Sequence, residues 1–203
     1  MAHETEIGFF IEEKESYEKK IIDLGFRFSS QVTQTDIMFD NPNADLWLKK
    51  DSKIRLREEK GEACLTFKGA PFIVTDFAKR VEINIEINVN DIGKYKDFFN
   101  SIGYPILFQL KKDRIMYEKE DTQIVFDNYP ILGWRIEIEG KEEQIQPIAN
   151  ILFPDKKYVF RYLSQYFTDY IEKTGKSIEI LKKEYLEQTG FDIGNIEKIF
   201  DYE

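Results

Sequence analysis

The 203-residue chain carries one cysteine, Cys64, and one histidine, His3. A single thiol excludes an intrachain disulfide and a thiolate metal cluster. No apolar run approaches the length of a bilayer span, so no membrane-crossing helix is expected. The first residues show no hydrophobic signal-peptide core, and a cytoplasmic location is the expectation. Positive charge is not in surplus either: 29 Lys and Arg face 38 Asp and Glu, a formal net charge of -9. That balance argues against general nucleic-acid or anionic-membrane binding. Any phosphate site must then be a local concentration of basic residues, and the partner a small molecule. What is present, 42% hydrophobic and 15% aromatic residues, suits one globular domain with room for an appendage.

Several strand-like stretches alternate charged and apolar residues. In RVEINIEIN, Arg80, Glu82, Asn84, Glu86 and Asn88 share one face while Val81, Ile83, Ile85 and Ile87 share the other. KIRLREE groups Arg55, Arg57 and Glu59, and GWRIEIEG groups Arg135, Glu137 and Glu139 opposite Trp134, Ile136 and Ile138. Taken singly, each strand also fits an ordinary sheet with one solvated face. The polar faces, however, are built from Arg and Glu with few Lys, Ser or Thr, and arginine is the planar fork that grips phosphate oxygens. Strands of this kind closing on one another predict a barrel with a charged interior.

Along the chain, HETEIGFFI alternates as a strand, and a helix follows through SYEKKIIDLG with Tyr17, Ile21 and Leu24 on one face and Gly25 as its stop. FRFSSQVTQTDIMFD reads as extended, NPNAD as a turn, and KIRLREEKGEACLTFKG as a hairpin turning at Lys60-Gly61. The pattern then repeats. Glu82, Tyr95, Phe99, Ile102, Gly103 and Tyr104 fall at the offsets of Glu4, Tyr17, Ile21, Leu24, Gly25 and Phe26, with Asn84 answering Glu6 and Arg135 answering Arg57. An internal duplication of this kind predicts two half-sheets closing about a pseudo-twofold axis with helices outside. After Gly140 strand signals stop. A helix is expected over KEEQIQPIANIL, a second after Asp155 with Val159, Tyr162, Leu163, Tyr166, Phe167 and Tyr170 at helical spacing and Gly175 at its end, and a third around SIEILKKEYLEQTG. The aromatic stripe is expected to be packing, and Ile178, Leu181 and Tyr185 to pack on the barrel or on another subunit.

The residues in this order resemble the CYTH domain, also called the triphosphate tunnel metalloenzymes, a family that includes class IV adenylyl cyclases, thiamine triphosphatases and inorganic triphosphatases. The parts that carry the resemblance, over approximately residues 3 to 167, are Glu4-Thr5-Glu6, Arg55 and Arg57 in IRLR, Lys68 in LTFKG, Arg80 and Glu82 in RVE, Lys112 and Arg114 in KKDR, Asp127 in FDNYP, and Glu137 and Glu139 in LGWRIEIEG. It implies an α+β fold: an antiparallel β-barrel of about eight strands with pseudo-twofold halves, helices packed outside, a tunnel domain at residues 1–167 and a C-terminal helical extension at 168–203. The lumen would bind a triphosphate or nucleotide. Arg55, Arg57, Lys68, Arg80, Lys112 and Arg114 would contact phosphate. Glu4, Glu6, Glu137 and Glu139 would be catalytic, with Glu82 a further tunnel residue. With one histidine and one cysteine the metal site is built from oxygen ligands, which suits Mg²⁺ or Mn²⁺ held by some of Glu4, Glu6, Asp127, Glu137 and Glu139.

Two positions depart from the family pattern. The N-terminal motif is ExExK, and its lysine position is Gly8 here; Asn84 stands where an acid is common, with Glu86 as a partial replacement. Lys49, Lys50, Lys53 and Lys79 are candidates to supply the missing cation by position along the chain alone. Three functions follow as expectations: hydrolysis of a triphosphate compound, conversion of ATP to cyclic AMP and pyrophosphate, and binding of a nucleotide or polyphosphate without turnover, which the Gly8 substitution would favour. A homodimer is a candidate assembly.

Overall fold

The two environments demanded by alternate strand residues are reconciled by closure. The structure, a computed structural model, describes residues 2–73, 78–154 and 163–200; the side chains of residues 2–4, 72, 73 and 78 lie outside that description. In chain order the elements are β1 (Ala2–Ile11), α1 (Lys14–Asp23), β2 (Arg27–Phe39), α2 (Asp45–Leu48), β3 (Lys53–Glu59), β4 (Glu62–Lys68), β5 (Phe72–Ile73) and β6 (Ala78–Ile87). They continue with α3 (Ile92–Ser101), β7 (Ile106–Lys119), β8 (Thr122–Tyr129), β9 (Gly133–Glu139), α4 (Glu142–Leu152), α5 (Leu163–Thr174) and α6 (Ile178–Thr189). Neighbours around the barrel run β1-β9-β8-β7-β2-β3-β4-β6, and β6 pairs with β1 to close it. Every pairing is antiparallel, and the two-residue β5 continues the β4 side of β6. This is the eight-stranded tunnel barrel that the sequence predicts.

The register carries the internal symmetry. Shifting by the spacing between Glu4 and Glu82 takes Ala2 to Arg80, and the β1–β6 register pairs Glu4 with Arg80 and Ala2 with Glu82. The same shift takes Thr33 to Lys111 and Thr35 to Asp113, and β2–β7 pairs Thr33 with Asp113 and Thr35 with Lys111. Both central pairings map onto themselves, as a twofold axis requires. The equivalence of Arg57 with Arg135 does not hold: Arg57 is in the third strand of its half, β3, and Arg135 in the fourth, β9. The connections explain the difference, since residues 40–52, with α2, separate β2 from β3, whereas only Glu120 and Asp121 separate β7 from β8. Lys60 and Gly61 both take positive φ, 51° and 79°, giving the expected tight hairpin turn.

Apolar strand faces point outward under helices. Ile21 of α1 and Ile145, Ala149 and Leu152 of α4 cover Ile7, Phe9, Ile124, Phe126, Ile136 and Ile138. Phe99 of α3 covers Ile37, Phe39 and Leu56. On β6 the apolar face remains open, with Ile83 43% and Ile85 51% exposed. The C-terminal segment packs on the barrel: Leu181 and Tyr185 of α6 are fully buried with Leu107, Phe108 and Leu110 of β7. β8 joins β7 only from Asp113 onward. Upstream of that point the segment after α6 supplies hydrogen bonds, Gln109 N to Ile193 O at 3.0 Å and Asn195 N to Leu107 O at 2.9 Å. Val159 and Tyr162 of the expected aromatic stripe lie outside the described residues; Phe167 is buried and Tyr170 packs beside it, as expected of a packing stripe. α5 runs across residue 167, the expected end of the barrel domain.

Candidate functional site

Alternation places charged residues of seven strands around one cavity of about 280 Å³. β3 contributes Lys53, Arg55 and Arg57, β4 Lys68, β6 Arg80 and Glu82, β7 Lys112 and Arg114, and β9 Arg135, Glu137 and Glu139. β1 adds Glu6 and β2 adds Asp36 and Met38. All six expected phosphate-binding cations are therefore in one place. Counting the lining, eight basic side chains meet five acidic ones, a formal excess of three positive charges inside a chain of net charge -9. Such a concentration of buried charge favours an anionic occupant.

Most of the cations are anchored. Asp36 lies directly across from Arg57 in the β2–β3 register and accepts from its Nε at 2.6 Å and its Nη2 at 2.8 Å. Asp127, fully buried behind the wall, accepts from Arg114 Nε and Nη2 at 2.7 Å each and from Lys112 Nζ. Arg114 Nη2 also reaches Glu137 at 2.9 Å, Lys68 pairs with Glu82 at 2.8 Å, and Arg135 pairs with Glu137. Burial opposes ionisation of Asp36 and Asp127, but Arg57 and Arg55 beside the first, and Lys112 and Arg114 beside the second, hold both carboxyls well below the ordinary range. Arg55 differs from its neighbours. Its one hydrogen bond to a described residue is a long one, Nη2 to Thr66 Oγ1 at 3.5 Å, and its Nε is buried without a hydrogen-bond partner among the described residues. Burial and the adjacent Arg57 guanidinium lower its pKa. Burial, then Arg80, push Lys53 down to about 7.

Three carboxylates gather on the β1–β9 side: Glu6, Glu137 and Glu139 each offer an oxygen within 4.8 Å of the others. Glu6 and Glu139 are direct cross-strand partners, and like charges so placed repel unless a cation lies between them. Burial penalises the Glu6 carboxylate, yet Lys68, Arg135 and Arg80 hold its pKa at about 2. An all-oxygen donor set fits a hard divalent cation of the Mg²⁺ or Mn²⁺ kind. Asp127 does not come within reach of this group; it is fully buried behind the wall, where it binds Lys112 and Arg114. The Glu4 side chain lies outside the described residues.

Of the four lysines weighed as replacements at position 8, Lys53 alone lines the cavity; Lys49, for one, is exposed and bound to Asp45 at 2.7 Å. Asn84 bridges Thr66 and Glu82 at 2.8 and 2.9 Å, and Glu86 is exposed. Sequence reasoning missed Asp36, although a lone acid in the apolar run DIMF was a signal. It also missed the apolar part of the lining, Met38, Trp47, Leu110, Tyr129 and Leu163. Trp47 is held there because the Asp40 carboxylate accepts from the backbone N–H groups of Leu46 at 3.1 Å and Trp47 at 2.9 Å, a local fold that periodicity does not announce.

Comparison with known proteins agrees with this geometry. A Methanocaldococcus jannaschii protein named provisionally as an adenylate cyclase is 28% identical over 149 residues, 73% of this chain and 83% of its own. The PH1819 protein of Pyrococcus horikoshii superposes with a TM-score of 0.65 at 27% identity, covering 84% of this chain and 99% of that one. A Hippeastrum protein, described as a provisional adenylyl cyclase with a dominant triphosphatase activity, shares the fold with a TM-score of 0.60 at 16% identity, over 86% of this chain and 97% of its own. The CYTH domain pattern itself matches residues 2–154, the span from β1 through α4 that builds the barrel and its charged lumen, and on that match the chain belongs to the CYTH domain family.

Proposed function

We propose that the lumen binds a triphosphate-bearing compound with a divalent cation and hydrolyses its terminal phosphoanhydride bond. The observation that carries this reading is the composition of the cavity wall: arginines and lysines of β3, β4, β6 and β7 share one cavity with a carboxylate cluster on β1 and β9. Phosphoryl transfer needs positioning and charge stabilisation more than covalent chemistry, and this wall supplies both. Arg55, whose Nε has no hydrogen-bond partner among the described residues, is the group readiest to donate to a phosphate oxygen. Arg57 and Arg114, locked by Asp36 and Asp127, offer guanidinium groups already fixed in place. Glu6, Glu137 and Glu139 would hold the cation, whose chemistry is to neutralise phosphate oxygens and lower the pKa of a coordinated water. In the hydrolysis a water oxygen bonds to the terminal phosphorus and the bond to the bridging oxygen breaks. The diphosphate moiety departs, and the water proton leaves through solvent to the departing phosphate oxygens.

The apolar lining from Met38, Trp47, Leu110, Tyr129 and Leu163 favours a second reading, in which the compound is ATP and its 3′-hydroxyl displaces pyrophosphate to give cyclic AMP. The deciding experiment incubates the protein with ATP, and separately with inorganic triphosphate, under Mg²⁺ and under Mn²⁺, and separates the products. Orthophosphate is the expected product. Cyclic AMP with pyrophosphate would establish the second reading, and binding without product would reduce both to a binding protein.

A further inference from the structure

Position 8 raises a question of space. It sits on the lumen face of β1, in step with Glu6, where the family's ExExK motif carries a lysine. Gly8 does not take a left-handed backbone, so its conformation makes no demand for glycine. Glycine inside a strand weakens it and marks a place where another group comes close. Here that group is a guanidinium. A β-carbon added to Gly8 would lie 2.7 Å from Cζ of Arg135 and 3.2 Å from Cγ of Glu137. In the β1–β9 register Gly8 pairs with Glu137 and Phe10 with Arg135, which makes Arg135 the diagonal neighbour of position 8 on the same face, within reach for a long side chain. Arg135 lines the cavity beside the carboxylate cluster and is largely enclosed.

We infer that Arg135 is the phosphate-binding cation that takes the place of the ExExK lysine, delivered from β9 instead of β1, with Gly8 kept side-chain-free to admit it. This inference rests on the triphosphate reading above. A side chain at position 8 would displace the guanidinium of Arg135 from the place it takes here, so the two positions compete for one place beside Glu137. A purely structural role, in which Arg135 only neutralises Glu137, makes a different prediction: an Arg135→Gln variant that melts lower but binds tripolyphosphate as the wild type does.

The test is calorimetric titration of inorganic tripolyphosphate into the wild type, Arg135→Gln, Arg135→Lys, and Gly8→Lys combined with Arg135→Gln, with thermal melts of each. Loss of one charged hydrogen-bond donor set is expected to weaken binding about tenfold or more in Arg135→Gln. Arg135→Lys and the double variant are expected to return to within about threefold of the wild type. Wild-type affinity in Arg135→Gln overturns the inference, as does a double variant that melts like the wild type yet binds as weakly as Arg135→Gln. A wild type that does not bind tripolyphosphate overturns the triphosphate reading itself, and the inference with it.

Discussion

At the scale of single residues, charge in the lumen is organised by what stands behind each cation. Asp127 is 0% exposed and holds both Lys112 and Arg114. Asp127→Ala strips two buried cations of their partner and is expected to destabilise the fold by about 3–5 kcal/mol, read from urea unfolding. The folded-state pKa of Asp127 lies below its ordinary value, so its contribution is fully present above about pH 4 and is lost as pH falls through the lower, folded value. The variant should therefore also show a shallower loss of stability on acidification than the wild type. Lys53 gives the opposite kind of signal. Its folded pKa is depressed from 10.5 to about 7, and a bound polyanion pushes it back up. Between those two values the complex holds a proton that the free protein lacks. Triphosphate binding at pH 8 should take up protons, seen as a binding heat that changes with the ionisation enthalpy of the buffer, and Lys53→Met should reduce the uptake. A binding heat independent of buffer would count against it.

Among the elements, the strands were legible and the spaces between them were not. RVEINIEIN, KIRLREE and GWRIEIEG announced their faces through a period of two: Arg80, Glu82, Arg55, Arg57, Arg135, Glu137 and Glu139 line the lumen, whereas Glu86 is exposed and Glu59 lies off the cavity, bonded to Gln34. The reason is that one face of each strand is nearly all apolar and the other nearly all ionic, leaving the backbone one choice of register. Which charges lie opposite one another depends on the stagger of neighbouring strands, which no single stretch encodes. Asp36 meets Arg57 and Gly8 meets Arg135 through pairings between segments far apart in sequence. The part played by α2 was hidden because its position is set by the Asp40 carboxylate and not by periodicity. α6 shows a further limit, for helical spacing marked Leu181 and Tyr185 as buried without saying against what. Both lie on β7, and the Tyr185 hydroxyl accepts from the backbone N–H of Lys111 at 2.5 Å. Leu181→Ala should cost about 2–5 kcal/mol in urea unfolding while leaving tripolyphosphate affinity near that of the wild type, since Leu181 does not line the cavity.

For the molecule as a whole, the formal excess of positive charge along the lumen is expected to make the resting barrel less stable than a polyanion complex. Tripolyphosphate at about one hundred times its dissociation constant should add about 2.7 kcal/mol and raise the melting temperature, and that gain should shrink as salt screens the attraction. The closure of the barrel also sets an order of events. β1 finds its partners only in β6 and β9, through pairs such as Glu4 with Arg80 and Gly8 with Glu137. During synthesis on a ribosome β1 must wait for β6 before its first edge is paired and for β9 before its second is. The lumen comes into existence only when Glu139 has cleared the exit tunnel, so any pause in translation before that point exposes an aggregation-prone edge.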